Sequence, residues 1–269
     1  MLTLVFGRDW TANRDVILEK IAADVKNEKA GRILLVPELI SHDMERRLAA
    51  VAGDTSSRYA QVLSFSRLAR RVCEIVGSGA QECLDNGGRV VAMASAARQL
   101  VGQLKAYASV ETKPEFLTSL VDAVDEFKRC CISAEDLMEA AAQTQGAFSQ
   151  KLTELALLLQ AYDGLCQHGK RDPRDQMSWV LEQLEDMDFA KEHVFYVDGF
   201  PDFTRQHMAV LELLLRRAPD VTVSLNCDGP DTQALAFEKA AQTARELLHC
   251  AARAGVPVHM EFVEERAHP

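Results

Sequence analysis

Two rhythms of apolar and polar positions run along this chain, and the switch between them divides it. Short, mainly apolar runs stand at 2–6, 33–36 and 59–63, and return at 194–197, 221–225 and 256–263. Runs of this length bounded by Gly or Pro predict buried strands. Between the first three, apolar residues recur with a helical period. Val16, Ile17, Ile21 and Val25 predict a helix beginning near Arg14. Met44, Leu48 and Val51 predict the inward face of a second helix with Ser41 as its N-cap. Leu68, Val72, Ile75 and Val76 do the same for a third, capped by Ser64. Strands alternating with helices of this length imply a parallel α/β sheet.

From about Asp85 the strand signals stop for roughly a hundred residues, far longer than an ordinary connection. Amphipathic helices are predicted at 89–107, 115–129, 135–145, 150–167 and 174–187. Ser133 and Asp136 form a capping-box pattern, and Pro173 sits where a first helical turn tolerates it. The runs differ in length and sequence, so no repeat array is expected. The expectation is an all-helical subdomain, 85–189, inserted into an α/β domain of 1–84 and 190–269. Thr204 begins a further helix through Met208, Leu211 and Leu214, and 237–254 predicts the last. A strand at the very C-terminus predicts that the chain is a piece of something longer.

Composition narrows the class. With 269 residues and 48% apolar content the chain is long enough for a substantial core. No apolar run approaches the roughly 20 residues of a membrane span, and no signal peptide opens the chain, so a cytoplasmic protein is expected. Seven cysteines, an odd number without a Cys-x2-Cys pair, predict neither a disulfide framework nor a metal site. The net charge of -10 argues against coating nucleic acid by charge alone. Its distribution changes that picture. Six arginines (46, 47, 58, 67, 70 and 71) lie between Arg46 and Arg71 against the single acid Asp54. The helical period places Arg67, Arg70 and Arg71 on one outward face, with Phe65 at the carboxyl end of a strand, where open parallel sheets bind ligands. An aromatic and several arginines there suit base stacking and phosphate contact. The alternatives are core packing for Phe65 and a solvated face for the arginines.

Candidate chemistry sits at two strand ends. A P-loop needs Gly-x4-Gly-Lys-Ser/Thr between strand and helix. The turn here reads Gly7-Arg8-Asp9-Trp10-Thr11-Ala12-Asn13-Arg14: the first glycine stands, while Ala12, Asn13 and Arg14 replace the second glycine, the lysine and the magnesium-holding hydroxyl. The apolar strand ending in Asp198 has the form of a Walker B strand, but Gly199 stands where a water-orienting glutamate would follow. The expectation is a P-loop scaffold without its chemistry, Asp198 remaining as a structural acid. The seven histidines and the serines form no metal or nucleophile motif.

Five blocks together resemble a known family: Leu4-Val5-Phe6-Gly7-Arg8, Leu34-Leu35-Val36-Pro37-Glu38, Leu63-Ser64-Phe65-Ser66-Arg67-Leu68-Ala69-Arg70-Arg71-Val72, Asp125-Glu126-Phe127-Lys128 and Tyr196-Val197-Asp198-Gly199-Phe200. In this order they resemble the N-terminal region of AddB (RexB), the B-type subunit of bacterial ATP-dependent helicase/deoxyribonucleases. The resemblance implies a RecA-like parallel sheet of the superfamily 1 helicase 1A type with an inserted helical 1B-type subdomain. It also implies an AddA-type partner, double-strand-break repair by recombination, and a helicase-like region that grips single-stranded DNA without being the motor. By position, Ser41, Phe65, Arg67 and Phe200 fall on the family's strand channel. Leu39 stands where relatives can have glutamine, and Arg70 where they can have tryptophan. The family's nuclease domain and iron-sulphur cysteines belong to its far C-terminal region, outside this chain.

The expectation is therefore a catalytically silent DNA-binding module using Ser41, Phe65, Arg67, Arg70, Arg71 and Phe200. Gly7, Arg8, Asn13, Arg14 and Asp198 would form a degenerate nucleotide site, with no ATP, magnesium or iron-sulphur cofactor in this piece and no membrane contact. Two rivals stay open. One is a nucleotide-dependent enzyme in which Arg8 or Arg14 replaces the lysine; the other is a scaffold whose helical insert docks a partner.

Overall fold

The computed structural model describes residues 1–77, 83–108, 113–167 and 170–263. Strands β1 (Leu2–Phe6), β2 (Arg32–Leu35), β3 (Ala60–Leu63), β4 (Val194–Val197), β5 (Val221–Leu225) and β6 (Val258–Phe262) pair in parallel in one sheet, in the order β3-β2-β4-β5-β1-β6. Helices α1 (Trp10–Lys26), α2 (Ser41–Ala52) and α3 (Phe65–Val76) follow the first three strands. Then come α4 (Asn86–Gln99), α5 (Pro114–Arg129), α6 (Ala134–Ala142), α7 (Gly146–Gln167) and α8 (Gln176–Asp186). The short α9 (Phe189–Glu192) leads into β4, and α10 (Arg205–Arg217) and α11 (Glu238–Ala254) flank β5. The chain divides into two units, Met1–Val72 with Val180–Pro269, and Cys73–Trp179. Both divisions fall inside helices, α3 and α8.

In the sheet unit, Phe6 stands opposite both Leu225 and Phe262, and Leu35 opposite Leu63 and Val197. This register brings the carboxyl ends of the strands out along one edge. β1 and β5 are buried at every position, as strands covered on both faces are, and so they read as mainly apolar runs broken only by the small hydroxyl residues Thr3, Thr222 and Ser224. Ile17, Leu18, Ile21 and Val25 of α1, with Met44 and Leu48 of α2, close over Val5, Leu34, Val36 and Val62.

Several expected boundaries move, each for a local reason. α1 begins at Trp10, because the Asp9 carboxylate accepts the Thr11 N–H at 2.8 Å and caps the helix earlier than its apolar period suggests. Ser41 is not an N-cap. A single 3-10 turn over Glu38–Ile40 runs straight into α2, so Ser41 is the first helical residue and its hydroxyl donates back to the Glu38 carbonyl at 2.9 Å. Val51 is exposed, and Ala52 instead lies against the core at the end of α2. Ile75 and Val76 are exposed too, since the buried stripe of α3 ends at Val72, where the sheet unit ends.

The helical unit packs Met93 and Ala97 of α4, Leu120 and Val124 of α5, and Leu158, Leu159 and Tyr162 of α7 into one core. Ser133 and Asp136 make the expected capping box at the start of α6. The helix expected over 89–107 stops at Gln99. The backbone N–H groups of Lys105, Ala106 and Tyr107 all donate to the Glu154 carboxylate of α7 at 2.9 to 3.0 Å, which fixes them as a turn. The run expected over 174–187 opens with a 3-10 turn, Pro173–Asp175, capped by Asp172.

A buried charge network ties this core together. Arg89 donates to Asp125 and, at 3.2 Å, to Asp172; the Tyr162 hydroxyl donates to Asp172 at 2.7 Å. Lys128 lies 3.4 Å from Asp172, 2.9 Å from Asp163 and 2.6 Å from Asp175. Burial opposes ionisation of Asp172, but Lys128, the Arg174 N–H, Tyr162 and Arg89 together hold its carboxyl below the usual range. Burial pushes the Asp175 carboxyl up, against the pull of Lys128. No described helix is long and apolar enough to cross a membrane.

Candidate functional site

The strand-end edge of the sheet gathers the residues that the sequence singled out. At the β1–α1 turn, Asn13 is fully buried, and its amide nitrogen donates to the carbonyls of Gly7 (2.9 Å) and Leu225 (3.2 Å) and to the Asn226 side chain (3.0 Å). Three acceptors around one nitrogen fix the amide's orientation. A Cβ on Gly7 would lie 2.2 Å from Asn13 Oδ1, so the close approach of turn and side chain requires glycine there. Asn13 thus holds the turn against β5 from within.

Arg14 turns the other way. Its Nε lies 3.1 Å from Oδ2 of Asp198, and both side chains are almost wholly buried, at 4% and 3% exposure. β5 lies between β1 and β4, and its Ser224 hydroxyl donates to the second oxygen of Asp198. The Arg14 guanidinium also lies 4.3 Å from the ring centroid of Trp10. In a P-loop enzyme the residue at Arg14's place and the strand-end aspartate share a magnesium ion; here a fixed guanidinium meets the carboxylate directly. Gly199 has φ +80°, and a Cβ on it would come 2.8 Å from Ile40 Cδ1 and 3.6 Å from an Arg14 nitrogen. A glutamate after the aspartate therefore has neither the backbone nor the room it needs. Arg8 is engaged elsewhere, in a two-pronged pair with Asp228 at 2.5 and 2.8 Å. The residues present do not fit a magnesium nucleotide: the cation position and the turn are taken by Arg14 and Asn13.

Further along the same edge, Ser64 accepts the Arg67 N–H at 3.2 Å and opens α3 as expected. Phe65 is only 4% exposed. Its ring stacks on His207 (centroids 4.1 Å, planes 9° apart) and meets Phe200 edge-on at 5.4 Å. So Phe65 is a packing residue in this structure, and it is the half-buried Phe200, also packed on Phe203 at 4.9 Å, that reaches the surface. Arg67 is half-exposed and paired with Glu45 at 2.6 Å, and Arg70 and Arg71 are exposed on the same face of α3. Ser41 is buried beneath the turn.

Burial lowers the pKa of His207, with Asp202 pulling weakly the other way. Its Nδ1 is buried and finds no hydrogen-bond partner among the described residues. A neutral ring suits the stack on Phe65. Sequence reading passed over His207, because its partner Phe65 is distant in the chain and no spacing links them. The Arg14–Asp198 pair had a signal: a cation replaces the metal-holding hydroxyl while the metal-facing acid is kept.

Comparison with known proteins gives this geometry its relatives. The family model described as ADDB, N-terminal, matches residues 4–268. A protein of Thermoanaerobacter sp. (strain X514), named as the B-type subunit of an ATP-dependent helicase/deoxyribonuclease, is 31% identical over 229 residues, covering 84% of this chain and 20% of that protein. Proteins of the same name from Bacillus licheniformis (30% over 235 residues, 84% and 20%) and Oceanobacillus iheyensis (28% over 273 residues, 96% and 23%) are similar. The chain spans about a fifth of the length of the first of these relatives.

Proposed function

This chain belongs to the AddB N-terminal family, and on that premise we propose that it is a catalytically silent, single-stranded-DNA-contacting module of the B-type subunit of a helicase/deoxyribonuclease. The observation that carries this reading is the replacement of the phosphate and metal positions by Asn13 and Arg14, whose side chains close the site from inside. A six-stranded parallel sheet with its altered turn at β1 and its acid at the end of β4 fits a RecA-like fold of the superfamily 1 helicase 1A type. We read the helical unit as its 1B-type insertion. Loss of one such electrostatic contributor typically costs on the order of a hundredfold in rate. Here the lysine, the hydroxyl and the glutamate are all replaced, so neither ATP nor magnesium is a working cofactor of this segment.

What remains at the strand ends is a surface for a polyanion with bases. Arg70 and Arg71 are exposed on it, Arg67 is held in place by Glu45, and Phe200 rests on Phe65. The arginines contact phosphate; Phe200 offers a ring to a base. The relatives' name, a B-type subunit, supports an A-type partner beside this module; its proposed setting is double-strand-break repair by recombination.

The test is fluorescence anisotropy of a labelled single-stranded oligonucleotide titrated at several salt concentrations. Arg67→Ala should weaken binding of all sequences alike and reduce the salt slope by about one. Glu45→Gln, which releases Arg67 from its pair, should tighten binding. An affinity and slope indifferent to both substitutions would remove Arg67 from the interface. Magnesium-dependent ATP binding at millimolar nucleotide would overturn the silent reading.

A further inference from the structure

We propose that Trp10 is a stacking step for the bound single strand, built on the closed nucleotide site. The inference rests on the DNA-contacting reading above and adds a binding residue to that same surface. Trp10 opens α1 at the strand-end edge and is 52% exposed, a large apolar surface to leave in water beside a closed core. One face of its ring is covered by the Arg14 guanidinium at 4.3 Å. That guanidinium is itself fixed by Asp198, so the indole is pinned from below by a group that cannot swing away.

Arg14 also links Trp10 to the aromatic cluster. A side chain on Gly199 would meet an Arg14 nitrogen at 3.6 Å, and Phe200 is the next residue. Trp10, Arg14, Gly199 and Phe200 therefore follow one another along a single edge, and the arginines of α3 open the same edge beyond Phe65. The ion pair contributes a second condition: neutralised by Arg14 and bonded by Ser224, Asp198 does not stand beneath Trp10 as a bare carboxylate that would repel a phosphate chain. A rigid indole with one face on a cation and about half its surface toward water, beside arginines and a second aromatic, is the arrangement that sequence-tolerant base stacking uses.

The sequence holds two tryptophans, so a Trp179→Phe background makes emission report on Trp10 alone. In that chain a saturating oligothymidine should quench Trp10 emission, in step with binding followed by anisotropy. Trp10→Ala should weaken binding roughly five- to a hundredfold, and Trp10→Phe should recover most of the loss. Unchanged melting of both variants confirms that the fold is intact. Strand binding that leaves emission unchanged and is indifferent to Trp10→Ala overturns the inference while sparing the DNA reading. No strand binding to the parent chain at low salt overturns the DNA reading, and the stacking step with it.

Discussion

Each unit of this chain buries an arginine–aspartate pair, and the two do different things. In the helical unit, Arg89 and Asp172 sit with Asp125, Lys128 and Tyr162 in the middle of a helix core, where they join α4, α5, α7 and the segment before α8. In the sheet unit, Arg14 and Asp198 sit at the strand ends, in the position where related folds hold a metal and a nucleotide. Burial and charge are alike; the place in the fold and the number of partners differ. A buried ion pair is thus no pointer to function by itself. The network of the helical unit is held by several partners per charge, and the sheet pair by one arginine and one serine.

That asymmetry sets the first and largest expected effect. Asp172→Ala removes the shared acceptor of Arg89, Lys128 and Tyr162 and leaves two cations buried with fewer partners. The expected loss is about 3–5 kcal/mol, the range for breaking a buried pair from one side. Denaturant unfolding gives the size, and hydrogen exchange gives the place: amides of α4, α5 and α7 should lose protection while those of β1 and β5 keep theirs. A loss spread evenly over both units would mean that they unfold as one and would collapse the distinction.

Arg14→Ala comes next, at about 3 kcal/mol, because Asp198 is left buried but keeps the Ser224 hydroxyl. Pairing it with Asp198→Asn sharpens the point. If the guanidinium serves only to compensate the acid, the double variant should recover much of the loss, with a coupling of more than about 1 kcal/mol. Additive losses would show that Arg14 matters for another contact, of which its packing on Trp10 is the obvious one.

How much of this was legible in the sequence follows from the range of each interaction. Strands buried on both faces, such as β1 and β5, stand out as apolar runs, and the capping box at Ser133 is local, so both could be read directly. The expected family resemblance holds over nearly the whole chain. Ser41 was misplaced because a 3-10 turn before a helix leaves no apolar signature. The altered P-loop was visible residue by residue, yet its meaning as a pair lay across distant positions, Arg14 and Asp198. The burial of Phe65 depends on His207 and Phe200, which meet it only through the sheet. Arg89, Asp125 and Asp172 carry no spacing at all that would announce a network.

The smallest effect separates the two units by pH. The carboxyl of Asp172 titrates below its ordinary value of 3.8, so its contribution is present above that pH and is lost only as pH falls through the lower folded value. His207 is also displaced downward, but toward its neutral form and in a higher pH range. Its folded pKa lies below 6.5, so between that folded value and 6.5 the unfolded chain binds more protons than the native one, and stability falls as pH is lowered from about 6.5. The slope can be at most about 1.4 kcal/mol per pH unit, and less for a ring that is only part-buried. Melting curves taken from about pH 7.5 to about pH 5, the span in which a histidine titrates, should therefore weaken the sheet unit while the helical unit holds. His207→Phe keeps a ring on Phe65 and removes the proton, and should flatten the slope. A slope unchanged in His207→Phe would move the acid sensitivity of this unit to another group and leave the Phe65–His207–Phe200 stack indifferent to protonation.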